Sequence, residues 1–291
     1  MANSRQVKQR INTAKNISKI TKAMEMVSAS KMKKAQERAL SARLYARTMA
    51  DSLRLLAKAT DKASHQLLQE NSEGKALGVV IATDRGLCGS LNQNLFKNLI
   101  QWKHHHPNGV IVAVGKKAIS FCQYYGLEIF AQFSDMPDKI TTSDIAPLSS
   151  LIVNGFLEST FLSVDLFFMD FINTLSQQPK TEQLLPLRSL SSLDADESLM
   201  DSTIHSEYLF EPNPQAILNE LLPFYIENTI YQAFLEARAS EHSARMVTMK
   251  NASENATELV SDLQLIYNKE RQSAITTELL DITTATASLQ Q

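Results

Sequence analysis

The sequence predicts an α/β domain with a mainly parallel sheet, inserted between two long terminal helices that form an antiparallel coiled coil. Three observations carry this reading. All eight glycines lie between Gly74 and Gly155, and all eight prolines between Pro107 and Pro223. The first 73 residues and the last 68 therefore lack the two residues that most readily end helices. Both ends repeat apolar residues every three or four positions, while the middle alternates short β-rich runs with helical stretches.

The first helix is expected from about residue 4 to 60. Val7, Ile11, Ala14, Ile17, Ile20, Met24 and Val27 step by three or four. After a shift, Met32, Ala35, Ala39, Ala42, Ala46, Met49, Leu53 and Leu56 alternate threes and fours without a break, which is a heptad seam. A helix of this length reaches about 90 Å at ~1.5 Å per residue, too long for the core of one compact domain. Part of it must hide its seam elsewhere, and the helix from the other terminus is the natural partner.

In the middle, Leu77 to Ala82 reads as a buried strand. It is followed by a glycine-bearing turn and a helix from about Asn92 to Lys103. Val110 to Val114 is a second strand, closed by Gly115. A helix over Lys116 to Tyr125 stops at Gly126, and Leu127 to Phe130 is a short strand. Ile145 to Glu158 is a third helix and Val164 to Phe171 a further strand. Strands alternating with helices imply a parallel sheet covered on both faces. Leu190 to Ser202 is Ser/Asp-rich and reads as loop. Pro212, Pro214 and Pro223 punctuate the return to a terminal helix expected from about 215 to 285. Its seam runs Ala239, His242, Met246, Met249, Ser253, Ala256, Val260, Leu263 and Tyr267. Small and polar members make that seam weaker than a leucine zipper.

Composition narrows the classes. With 44% hydrophobic and 21% charged residues the chain can build a core and stay in water. No apolar run approaches the ~20 residues that span a membrane. No apolar h-region opens the chain, so no secretory signal is expected. Cys88 and Cys122 have neither disulfide-framework nor metal spacing, and a reducing cytoplasm fits them. Residues 1–62 carry fifteen Lys/Arg against four acids, a net +11. Residues 205–291 carry five against twelve, a net −7. Opposite signs suit antiparallel pairing, and the excess on the first helix points to an acidic partner.

Four stretches invite a chemical reading. Thr83 to Asn92 follows the first strand and opens a helix, where nucleotide-binding folds hold phosphates. It matches neither common phosphate-loop pattern, and no acid stands ready for a ribose after the second strand. A structural strand-to-helix turn is the better account. His104, His105 and His106 are adjacent on a helix, so they point about 100° apart and cannot converge on one ion. Cys88 sits near a helix N-terminus that could activate it, but a packed thiol is expected. The basic first helix could bind nucleic acid, although its cations are spread around the helix with no aromatic interleaving before Tyr45. No catalytic apparatus, metal site or cofactor site is expected.

Ile20-Thr21-Lys22-Ala23-Met24-Glu25-Met26-Val27 with Ser30-Lys31-Met32 resembles the N-terminal signature of the γ subunit of F-type ATP synthases. Asp84-Arg85-Gly86-Leu87-Cys88-Gly89 with Leu91-Asn92 resembles that family's turn after the first strand. Ser240 to Val247, Met249 to Ala252, and Tyr267-Asn268-Lys269-Glu270-Arg271-Gln272 with Ile275-Thr276 resemble its C-terminal signature. Phe171 to Thr174 and Tyr208 to Pro212 are weaker matches. The likeness runs nearly end to end. Ser90 departs from the family turn, where a second glycine is usual, and Ile282 to Ala287 departs from a glycine-containing tip.

The resemblance implies a shaft helix over 1–62, a Rossmann-like α/β domain over 75–205 and a second shaft helix over 212–291. It implies a non-catalytic rotor shaft that carries proton-driven rotation from the membrane c-ring to the α and β subunits of the catalytic head, and the reverse during hydrolysis. Lys22, Met24, Arg271, Gln272 and Thr276 would contact the β subunit. Tyr208 and Phe210 would face the ε subunit and the c-ring. Asp84, Gly86 and Gly89 would be structural turn residues. Without a dithiol insertion or transit peptide, the expected setting is a bacterial cytoplasmic membrane. The protein would be peripheral there, on the cytoplasmic side, with no nucleic acid and no membrane insertion of its own.

Overall fold

A computed structural model describes residues 2–59, 65–187 and 211–289. The elements run α1 (Ala2–Ala59), β1 (Lys75–Ile81), α2 (Leu91–His105), β2 (Val110–Val114), α3 (Lys116–Tyr124) and β3 (Ile129–Phe133). They continue with α4 (Thr142–Leu157), β4 (Phe161–Phe171), β5 (Gln177–Leu185) and α5 (Pro214–Leu289), and a 3-10 turn at Gln66–Leu68 precedes β1. The two long terminal helices thus bracket one sheet. The expected loop from Leu190 to Ser202 lies outside the described residues.

The strand order is β3-β2-β1-β4-β5. β1 pairs in parallel with both β2 and β4, and β2 in parallel with β3. β5 returns antiparallel along β4, with Phe168 opposite Lys180 and Phe171 opposite Gln177. β5 was not expected from the sequence. Gln177–Leu185 is mostly polar and contains Pro179, which an edge strand can accept because its outer N–H groups need no partner. β3 runs to Phe133 rather than stopping at Phe130.

Successive residues of a strand point to opposite faces, so each strand supplies two cores. Leu77, Val79 and Ile81 of β1 pack with Leu53 and Leu56 of α1, with Ile145, Leu148 and Ile152 of α4, and with Leu218, Leu222 and Ile226 of α5. On the other face Ala76 and Val80 join Leu95, Leu99 and Trp102 of α2 and Ala118 and Cys122 of α3. Trp102 lies against β1 where Gly78 leaves room. A Cβ on Gly78 would stand 3.1 Å from the indole, and one on Gly109 2.7 Å from it. The indole Nε1–H donates to Asp165 at 2.8 Å, so the buried ring meets its only polar need.

The chain divides into two compact units, residues 30–244 and residues 1–29 with 245–291. In the larger unit the start of α5 runs antiparallel to the end of α1. Ala35 packs on Ala239, Gln232 donates to the Ala39 carbonyl at 3.4 Å, and Arg43 Nε donates to Glu236 at 2.9 Å. In the smaller unit α1 and α5 pair through hydroxyls. Ser18 Oγ lies 3.1 Å from Thr257 Oγ1, and Ser253 Oγ donates to the Ser18 carbonyl at 3.3 Å.

The α1 seam differs from the expectation. Ile17, Ile20 and Val27 are exposed, at 47, 59 and 56%. The covered positions are Ile11, Ala14, Ser18, Thr21, Glu25, Ser28, Met32, Ala35, Ala39, Ala42, Ala46, Met49, Leu53 and Leu56, all buried or half-buried. These alternate threes and fours with no shift. The heptad is continuous, but its stretch from 18 to 28 is polar, with Ser18, Thr21, Glu25 and Ser28 at the seam positions. The α5 seam from Ala239 to Tyr267 is buried or half-buried at every expected position.

Candidate functional site

Strand order reverses between β1 and β4. In open α/β sheets, ligands bind outside the carboxyl ends of the strands at such a point. Here the turn after β1 is bound into the protein itself. Thr83 Oγ1 donates to the Arg85 carbonyl at 2.7 Å, and Asn92 Nδ2 donates to Thr83 Oγ1 at 2.8 Å. Asp84 accepts from the Lys116 N–H at 3.1 Å, which links the turn to the start of α3. Leu87 and Gly89 have φ of +62° and +61°, so a glycine at 89 avoids the left-handed penalty that Leu87 bears. Gly115 has φ +91°, and a Cβ there would stand 2.3 Å from the Ala82 carbonyl oxygen.

The crevice above this turn is filled by α5. Phe234, Ala237, Arg238 and Glu241 line it together with Thr83, Asp84, Asn92 and Gly115, and about 10 Å³ of free space remains. Arg238 stands where a bound phosphate would attract a cation. Its guanidinium donates to Glu241 at 2.8 Å and to the Met136 carbonyl at 2.9 Å, and lies 3.6 Å from Asp84. Nearby, Ser240 Oγ donates to the Met169 carbonyl at 3.0 Å and Ser243 Oγ to the Thr174 carbonyl at 2.7 Å. From 239 to 243 every residue of α5 is buried, so this part of the helix is a core element on all sides. The turn residues Asp84, Gly86 and Gly89 therefore stand beside a closed crevice. The sequence pointed to the turn but not to Arg238, which closes it from far along the chain.

Cys88 is 4% exposed, with its sulfur 3.6 Å from the Asn92 amide. Burial pushes the Cys122 thiol up to about 11. His105 and His106 sit at the end of α2 with Nδ1 against the Gln101 and Trp102 carbonyls, at 2.8 and 3.1 Å.

A second polar cluster joins α1, β4 and α5. Arg43 bridges Glu236 at 2.9 Å and Asp170 at 3.3 Å and donates to the Phe171 carbonyl at 3.2 Å. Burial, and next the neighbouring Asp170 carboxyl, push Glu236 above the ordinary carboxylate range, while Gln232 and Arg43 pull it back.

The residues that the resemblance assigned to the β subunit lie in the smaller unit. Lys22 is 57% exposed in its side chain and pairs with Glu25 at 3.0 Å. Met24 is half-buried. Arg271, Gln272 and Thr276 are exposed, and Thr276 Oγ1 donates back to the Gln272 carbonyl at 3.0 Å. They stand off the seam that continues through Glu270 and Ala274, both half-buried. Around them Leu265, Ile275, Leu279, Leu280 and Ile282 are 49 to 68% exposed. The arrangement is an apolar surface with interspersed donors. Tyr208 and Phe210 lie outside the described residues.

Comparison with known proteins follows the whole chain. A family profile described as ATP synthase matches residues 3–289. The ATP synthase gamma chain of Histophilus somni strain 2336 is 40% identical over 294 residues, covering 99% of this chain and all of the relative. That of Glaesserella parasuis serovar 5 is 38% identical over 293 residues, with the same coverage. Among solved structures, the rotor of the Euglena gracilis mitochondrial ATP synthase superposes with a TM-score of 0.66 at 21% identity. That match covers 94% of this chain and 99% of the other. The central stalk and c-ring structure from Tetrahymena thermophila contains a chain matching at a TM-score of 0.60 and 23% identity, over 80% of this chain and 99% of the other.

Proposed function

Because the chain belongs to the ATP synthase gamma-chain family, we propose that it is the central rotor shaft of an F-type ATP synthase. In this reading it carries proton-driven rotation from a membrane c-ring to the catalytic sites of an α3β3 head, and the reverse during ATP hydrolysis. The shaft turns as a non-catalytic subunit, and its unequal faces favour different states of each β subunit in turn. That is allostery by differential contact.

The observation that supports this best is the double character of α5. Its residues 239–243 are locked into the α/β core, while from Glu270 onward nearly every described position is exposed. One element is thus anchored at one stretch and open to partners at another. The closed crevice beside β1 fits a subunit that moves nucleotide chemistry without performing it. In the α3β3 head, Lys22, Met24, Arg271, Gln272 and Thr276 contact β, and Tyr208 and Phe210 face ε and the c-ring. No described helix is long and apolar enough to cross a membrane, and the proposed place is peripheral, on the cytoplasmic side of a bacterial membrane.

Affinity purification of the tagged chain from gently lysed cells tests the reading. The larger ATPase subunits and ATP hydrolysis should follow the tag. Recovery of the chain alone from extracts that retain intact ATPase would overturn it.

A further inference from the structure

The end of β4 meets α5 through two carboxyl groups. Glu236 of α5 and Asp170 of β4 stand within hydrogen-bonding reach of each other. Their surroundings differ, since the Glu236 side chain is 7% exposed and that of Asp170 30%. Arg43 of α1 bridges them, from Nε to Glu236 Oε1 at 2.9 Å and from Nη2 to Asp170 Oδ1 at 3.3 Å. Gln232 Nε2 donates to the same Glu236 oxygen at 2.8 Å. Two donors thus hold Oε1, which leaves Oε2 for the contact with Asp170. The Gln232 amide oxygen is buried and accepts from no partner, so this amide serves Glu236 as a donor and does not take a proton from it.

Charge defines what lies between the two acids. Among the described residues, the charged groups that face Glu236 are Arg43 from α1, Asp170 from β4 and Lys180 from β5. Lys180 already pairs with Glu182 at 2.8 Å, so Arg43 alone serves both carboxyls. With both ionised, three anions would stand against two cations, one of the anions almost wholly buried. Neighbouring carboxylates resist ionising together, and the more buried one keeps the proton. We propose that Glu236 and Asp170 share one proton, carried on Glu236 and donated to Asp170, and that this bond fastens the end of β4 to α5. Burial, and next the Asp170 carboxyl, push Glu236 above the ordinary carboxylate range, the direction such sharing requires. The fastening is sensitive to pH. Above the titration of the pair, the bond gives way to repulsion between two carboxylates. The turn after β4 then keeps only its ties from Arg43 to the Phe171 carbonyl and from Ser243 to the Thr174 carbonyl. The device does not depend on the rotor reading.

Carbon-detected NMR of the side-chain carboxyls in the full chain tests it. The Glu236 signal is the one missing from Glu236→Gln. In the wild type it should titrate above the ordinary glutamate midpoint of about pH 4.3. Asp170→Asn removes the neighbouring anion and turns a donor amide toward Glu236. The Glu236 midpoint should then fall by about one pH unit or more, a loss of roughly tenfold in proton affinity. Burial alone would leave it where it was. Amide exchange reads the fastening. Asn173 and Ser176 exchange backbone hydrogen bonds across the turn after β4. Their protection, corrected for intrinsic exchange, should drop across the Glu236 titration in the wild type and stay level in Glu236→Gln. A wild-type midpoint at or below the ordinary value overturns the proposal, as does an unchanged midpoint in Asp170→Asn. If Asp170→Asn does not fold, the exchange measurement decides, and level protection in the wild type overturns the proposal.

Discussion

Arg238 and Glu241 stand one turn apart on α5 with guanidinium and carboxylate 2.8 Å apart and side chains only 12 and 6% exposed. Arg238→Ala leaves Glu241 buried without that partner, and such a loss costs about 3–5 kcal/mol. Chemical denaturation should show a fall of about that size. The double variant Arg238→Met with Glu241→Leu removes both charges and should recover at least half of it. Recovery would stay incomplete because the Met136 carbonyl has lost its donor.

Three glycines near the turn should respond in a fixed order. Gly86→Ala brings a Cβ no closer than 3.8 Å to Lys117, so its effect on stability should stay within about 0.5 kcal/mol. Gly89→Ala places alanine at φ +61° and should cost about 1–2 kcal/mol. Gly115→Ala meets the Ala82 carbonyl at 2.3 Å as well as a positive φ and should be the worst, about 3 kcal/mol or more. Urea denaturation of the three variants checks the ranking.

The pH dependence of stability should reveal Glu236. Its pKa is raised in the folded protein, so between the unfolded carboxylate value and the folded one the native state binds the extra proton. Stability in that window falls as pH rises. Glu236→Gln keeps the hydrogen-bonding shape without the charge. The variant should gain on the wild type between pH 5 and pH 7, as read by urea midpoints at both values. A difference that is the same at both pH values would remove Glu236 from the account.

Arg271 and Gln272 are exposed and off the seam. Arg271→Ala and Gln272→Leu should therefore leave the thermal unfolding of the isolated chain unchanged. In purified complexes with α and β subunits, each should lower ATP turnover, since charge-assisted bonds to a partner contribute about 1.5–3 kcal/mol. Turnover equal to wild type in fully assembled complexes would withdraw these two residues from the β contact.

The terminal helices and the central strands were legible because glycine and proline are segregated and β1, β2 and β4 are apolar runs. β5 was hidden by its polarity, which an edge strand tolerates. The middle of the α1 seam escapes an apolar pattern because its buried positions are polar. Ser18, Thr21 and Ser28 occupy the seam, and Ile17, Ile20 and Val27 face outward. The turn at Asp84 was visible as a pattern after a strand. Its closure by Arg238 was not, because that contact joins residues distant in sequence and only the folded sheet brings them together.

The filled crevice has a mechanical consequence. A helix laid on a sheet by apolar contact alone can roll, but α5 is seated like a key in a keyway. Turning it by one residue, about 100°, would break the bonds from Arg238 to the Met136 carbonyl, Ser240 to the Met169 carbonyl and Ser243 to the Thr174 carbonyl together. A torsional load on this domain is therefore shared among several short bonds and does not slip along one greasy face. The same seating leaves no room for a small metabolite to wedge the helix loose and disengage the drive.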